Sequence, residues 1–250
     1  MPISRASGAS TAPETAGRPL RAVFFDAGNT LLRMDYAAIA DELARGGVRV
    51  AAVAVQRAEW RARVRLDDQV LARTAAGEST ESQSTATRYL AYVLEGLGVT
   101  DPETVERVAA WRRSFNPPVG VWTARDPQAL EAIALVRRAG LGAAAISNSN
   151  GSVRSVLDAV GVATHLDFVL DSGEVGVEKP DRRIFELALA RAGIGPAEAA
   201  YIGDLYTIDV RGAGAAGLRP VLLDPGGFWG ARDCATAPDL LSAVRRLLPG

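Results

Sequence analysis

Arg21-Ala22-Val23-Phe24-Phe25-Asp26-Ala27-Gly28-Asn29-Thr30 decides the fold: a short apolar run of β-branched and aromatic side chains, then a carboxylate, then turn formers. The run reads as a buried strand. A carboxylate at the carboxyl end of a strand lies where open α/β sheets place their ligands. The same grammar recurs at residues 141–146, which end in Ser147-Asn148-Ser149-Asn150-Gly151, and at residues 199–202, which end in Gly203-Asp204 with Asp209 following. Three strands therefore deliver Asp26, Ser147 and Asp204 to one rim. Helices are predicted over 130–138, 151–160, 182–192 and 208–216, with further strands at 168–170 and 219–223 and a closing helix over 238–248. Such alternation implies a parallel sheet with helices on both faces.

Lys179, in Val177-Glu178-Lys179-Pro180-Asp181, is the single lysine of a chain whose other cations are all arginine. A compact ammonium on a flexible stem can reach and neutralise one point, which the broad planar guanidinium cannot do in the same space. The pattern makes Lys179 a candidate for chemistry on a loop that meets the strand ends.

Between residues 34 and 116 the texture changes. Apolar residues recur at helical spacing, alanine is abundant and strands are not evident, which predicts helices over 36–44, 50–71, 85–97 and 102–114. Asn116-Pro117-Pro118 breaks the pattern and returns the chain to the sheet. In the second of these helices Arg57, Arg61 and Arg65 share one face, read as solvated and laced to Glu59, Asp67 and Asp68, with Trp60 and Val64 on the packing side.

Four motifs in order, Phe25 to Leu31, Ile146-Ser147-Asn148, Lys179-Pro180-Asp181 with Ile184-Phe185, and Gly203-Asp204 through Asp209, make the chain resemble the haloacid dehalogenase-like hydrolase superfamily, nearest its small-molecule phosphatases and dehalogenases. The resemblance implies a Rossmann-like α/β core at residues 20–33 and 117–250 and an inserted all-α cap at 34–116, while residues 1–19, rich in Ser, Ala, Thr, Gly and Pro, read as a mobile tail. It also implies roles. Asp26 is the nucleophile that forms an aspartyl-phosphate; Mg²⁺ is held by Asp26, the Gly28 carbonyl and Asp204, with Asp209 behind them. Ser147, the Asn148 amide and Thr30 hold the phosphoryl group, and Lys179 neutralises both it and Asp26.

Gly28 departs from the pattern, because phosphatases of this superfamily usually place there a second aspartate that protonates the leaving group. General acid catalysis is worth ~10²–10⁴-fold. The expectation is a phosphomonoester phosphatase restricted by its leaving group, with a haloacid dehalogenase-type hydrolase or a catalytically weak phosphoryl-binding module as the alternatives.

The remaining composition excludes rather than assigns. A formal net charge of −1 gives no clustered positive field for nucleic acid or an anionic membrane, and no apolar run has the length of a bilayer span. Cys234 is the only cysteine and His165 the only histidine, which argues against a Cys-His pair and points to a reducing cytoplasm. The expected partner is a small phosphorylated metabolite.

Overall fold

A computed structural model describes residues 19–73 and 79–248, so the expected tail lies, apart from residue 19, outside the described residues. Six parallel strands form the main sheet in the order β5-β4-β1-β6-β7-β8: β1 (Ala22–Phe25), β4 (Gly142–Ser147), β5 (Val169–Asp171), β6 (Ala199–Gly203), β7 (Arg219–Leu223) and β8 (Ala235–Ala237). β1 is central. Phe25 is level with Ala145 on one side and Ile202 on the other, so the residues that follow these three strands emerge together. The chain leaves β1 toward β4 and β5, then returns to β6 on the opposite flank, and this reversal of order opens the crevice that holds ligands in doubly wound sheets.

Alternation along β1 assigns its two faces. Val23 and Phe25 pack with α5 (Ala129–Arg138), α6 (Val153–Ala159) and α10 (Leu240–Leu247), while Ala22 and Phe24 pack with α8 (Arg182–Ala192) and α9 (Arg211–Ala215). Helices cover both faces, as the periodicity predicts. No described helix is long and apolar enough to cross a membrane.

The helical insert has an apolar core of its own. Its helices α1 (Tyr36–Arg45), α2 (Ala52–Gln69), α3 (Gln83–Gly96) and α4 (Pro102–Ser114) gather Ile39, Leu43, Val55, Leu66, Leu94 and Val108, and Val121 and Ile208 join them from outside the insert. The stem is a two-stranded antiparallel ladder, β2 (Leu32–Arg33) with β3 (Ala124–Arg125). Neither strand is readable from sequence, since two residues are too short to establish a period. β8 and the single-turn helix α7 (Ser172–Val175) escape the sequence reading for the same reason.

Two expectations are corrected by the structure. The helix predicted over 208–216 is a wide π-turn at Tyr206–Val210 running into α9, because the Asp209 carboxylate turns back to accept the N–H groups of Asp204 and Leu205 at 3.0 Å each. On α2, Arg57, Arg61 and Arg65 are exposed as expected, but Glu59 and Asp67 do not serve them. Both acids are buried: Glu59 pairs with the buried Arg63, and Asp67 accepts from the Thr207 N–H at 2.9 Å and hydroxyl at 2.8 Å. Arg65 instead meets Glu95, and Asp68 meets Arg232.

Asp67 thus ties the insert to the loop that follows Asp204. Burial raises its carboxyl to about 6, against the opposing pull of the two Thr207 hydrogen bonds. Between about pH 4 and 6 the folded protein therefore holds this proton more tightly than the unfolded chain, so the contribution of Asp67 is present at low pH and is lost as pH rises through 6. Asp67→Asn keeps an acceptor for the Thr207 N–H and never charges. Denaturant melts should show the variant gaining on wild type as pH rises from 4.5 to 7.5, by at most about 3 kcal/mol; a gap that is flat, or that opens as pH falls, would contradict this assignment.

Candidate active site

The strand ends converge as the sequence predicts. Asp26, Asp204 and Asp209, all buried, bring one carboxylate oxygen each to within 4.8 Å of one another. Lys179 reaches them from its loop and spends all three ammonium protons: on Asp26 Oδ1 at 2.5 Å, Asp209 Oδ1 at 2.8 Å and the Tyr201 hydroxyl at 2.8 Å. Tyr201 comes from the interior of β6 and has no counterpart in the sequence reading. Its hydroxyl lies 3.1 Å from the Ile146 carbonyl and 3.2 Å from Asp209 Oδ1, which fixes the acceptor that Lys179 uses.

The three carboxylates differ in what remains open. Asp209 is saturated, with Oδ1 taken by Lys179 and Tyr201 and Oδ2 by two backbone N–H groups. Asp204 uses Oδ2 to accept from Asn29 Nδ2 at 3.0 Å and to meet Arg63 Nη1 at 3.2 Å. Among the described residues no hydrogen bond engages Asp26 Oδ2 or Asp204 Oδ1. These two oxygens, with the Gly28 carbonyl between them in the chain, are the ones that could face a cation.

Arg63 and Glu59 enter this site from α2. Glu59 accepts from Arg63 Nε at 2.8 Å and Nη2 at 2.6 Å, from Tyr36 at 3.0 Å, from Tyr89 at 2.5 Å and from Asn29 at 3.2 Å. Asn29 adopts a left-handed backbone (φ 52°), which turns its amide toward Glu59, Tyr89 and Asp204 together. The i, i+4 spacing of Glu59 and Arg63 was the available signal, but exposed pairs show the same spacing.

Charge balance distinguishes this cluster from an ordinary buried ion-pair network. Asp26, Asp204, Asp209 and Glu59 are four carboxylates against two cations, Lys179 and Arg63, leaving two negative charges in excess, and every member is buried. Burial raises Asp26 to about 6, opposed by Lys179 and reinforced by Asp209. Burial likewise pushes Asp204 well above the carboxylate range, despite Arg63. Lys179 shows the converse: burial pulls it down, but the Asp209 and Asp26 carboxylates hold it above its ordinary value. A divalent cation matches the missing charge and the oxygen donor set, so the residues present fit Mg²⁺.

Ser147 and Asn148 close the opposite side. The Asn148 side chain is committed to Lys179, accepting its N–H at 2.7 Å and donating to its carbonyl at 2.9 Å, with a further bond to Thr80 of the insert at 3.0 Å. That leaves the Asn148 backbone N–H for a ligand, while the Ser147 hydroxyl donates to the Asn148 carbonyl at 3.2 Å and would turn from it to reach one. Asp171, also unforeseen, holds the loop behind them by accepting from the N–H groups of Gly151, Val153 and Gly173. Thr30 is fully buried behind the first turn and lies outside the cavity lining.

A cavity of about 440 Å³ rises from Asp26, Ser147 and Lys179 between the α/β part and the insert. Trp122 lies at its edge: three of its ring carbons come within 3.6–3.8 Å of where a Cβ on Gly28 would stand. The position expected to hold a leaving-group acid is thus walled by indole.

The haloacid dehalogenase-like hydrolase model matches residues 20–217. Haloacid dehalogenase-like hydrolase domain-containing protein 3 of Bos taurus is 30% identical over 240 residues, covering 92% of this chain and 93% of that protein. The phosphoserine phosphatase of Thermus thermophilus is 44% identical over 115 residues, a match spanning under half of either chain, 46% here and 45% there. The magnesium-bound HAD-hydrolase YfnB of Bacillus subtilis shares the fold with a TM-score of 0.63 at 16% identity, over 92% of this chain and 99% of that one. A matching family model across most of the chain, a full-length relative and a shared fold lead to one conclusion: this chain belongs to the haloacid dehalogenase-like hydrolases.

Proposed function

We propose that the protein is a Mg²⁺-dependent phosphomonoester phosphatase in which Asp26 is the nucleophile, with residues 34–116 acting as a cap over a core of 20–33 and 117–250. The observation that carries this reading is the buried cluster with two uncompensated negative charges, opening on a cavity beside the Ser147 hydroxyl. A relative named a phosphoserine phosphatase supports it. A metal-free dehalogenation would leave Asp204 without a purpose that repays its burial.

Asp26, Asp204 and the Gly28 carbonyl would hold Mg²⁺, which when bound supplies positive charge for both the attacking carboxylate and the phosphoryl oxygens. Asp26 would attack through one carboxylate oxygen while its other oxygen serves the cation, with the Lys179 ammonium beside them at Oδ1. Ser147 and the Asn148 N–H donate to phosphoryl oxygens. Lys179 has all three protons engaged, so it acts on the transition state as a fixed charge. Asp209 and Tyr201 keep that charge in place, and Asp209 also fixes the backbone that presents Asp204.

Leaving-group departure is the weak step. Gly28 offers no proton and the Trp122 ring stands beside it, so leaving groups that depart as stable anions are favoured.

The covalent step is tested by rapid acid quench during turnover of 4-nitrophenyl phosphate. A phosphoryl group should be recovered on the peptide containing Asp26 and be absent from Asp26→Asn. Recovery on another residue, or on none while steady turnover proceeds, would overturn the mechanism.

The Gly28 account has its own test. A β-carbon at position 28 meets the Trp122 ring at ordinary contact distance, but the carboxylate beyond it needs that space. Gly28→Asp should therefore help little alone, and the double variant Gly28→Asp/Trp122→Ala should raise alkyl phosphate hydrolysis over aryl by a ratio bounded at the ~10²–10⁴-fold of general acid catalysis. A double variant with an unchanged alkyl-to-aryl ratio would show that protonation does not limit turnover.

A further inference from the structure

Arg112, in the last turn of α4, lines the same cavity as Asp26 and is partly buried, yet among the described residues it has neither a hydrogen bond nor an ion pair. Its neighbour Arg113 is exposed and paired with Glu106 at 3.1 Å. Arg113 lines the cavity as well, but its guanidinium is exposed and committed to Glu106, so Arg112 is the cation of this turn that is left without a partner among the described residues. The position is also built: Trp111 and Phe115 pack as tilted rings with centroids 4.7 Å apart on the turn that bears Arg112.

Arg112 shares the cavity with Asp26 and Lys179, which belong to the strand-end cluster, and with Glu81. Burial, followed by repulsion from Arg113, holds its pKa below the usual arginine value, and Glu81 opposes this. A partly buried guanidinium without a counter-ion is open to a ligand, and its planar fork matches a carboxylate or phosphate in bidentate fashion.

We propose that Arg112 is a specificity-determining residue that binds a second anionic group on the substrate, so that the preferred substrates are small phosphomonoesters whose leaving group carries a carboxylate or comparable anion. This rests on the phosphatase reading and narrows it. The wall beside Gly28 and the anchor at Arg112 then select different properties of one leaving group: stability as an anion at the reacting oxygen, and charge at the far end.

The test uses 4-carboxyphenyl phosphate and 4-methylphenyl phosphate, which differ in that remote charge. Wild type should favour the carboxylate ester in kcat/KM, and Arg112→Met should lower this preference about 10- to 100-fold through KM, as expected for loss of a hydrogen bond to a charged group. Arg112→Lys should recover part of it. Calorimetric titration of both esters into Asp26→Asn, with and without Arg112→Met, reads binding apart from turnover. If wild type hydrolyses neither ester, the phosphatase reading fails, and the titration still decides Arg112. No preference in wild type, or the same preference after Arg112→Met in both measurements, would overturn the proposal.

Discussion

One ammonium group organises this protein: Lys179, buried, with its three protons on Asp26, Asp209 and Tyr201. Burying a lone charge is prohibitive, so the lysine requires its carboxylates and the carboxylates require the lysine. That mutual need explains several otherwise separate features. Asn148 grips both the N–H and the carbonyl of Lys179, Asp209 winds the start of α9 into a π-turn, and β6 spends an interior position on a tyrosine rather than an aliphatic side chain.

The cluster remains two charges short of neutrality, and the insert contributes to it directly. Glu59 and Arg63 on α2 extend the network to Asp204, while Asp67 fixes Thr207 and Thr80 meets Asn148. The helical part is thus bonded to the loops that carry chemistry, not merely stacked above them.

The parts legible in sequence were those set by strong local patterns. Helix α8 and strand β7 have the predicted bounds, because Gly193 closes the first and an apolar run defines the second. Asp26, Ser147, Lys179, Asp204 and Asp209 were readable since each follows a strand or sits in a motif. What was not readable depends on tertiary partners. Arg63 looks like its exposed neighbours until Asp204 is placed beside it, and Arg112 looks like Arg113 until Arg113 alone is seen to pair with Glu106. Asp171 reads as the end of a strand, whereas its carboxylate organises three backbone N–H groups. Trp122, in a stretch without periodicity, gave no sign that it would face Gly28.

The central claim is that the excess negative charge at Asp26 and Asp204 is a site for one divalent cation, and calorimetric titration with Mg²⁺ measures this most directly. The account predicts one ion per chain, a melting temperature that rises with Mg²⁺ concentration, and loss of both effects in Asp204→Asn. Binding and stabilisation that persist unchanged in Asp204→Asn, or a wild-type protein that binds no Mg²⁺ yet hydrolyses phosphate esters in chelator, would contradict it.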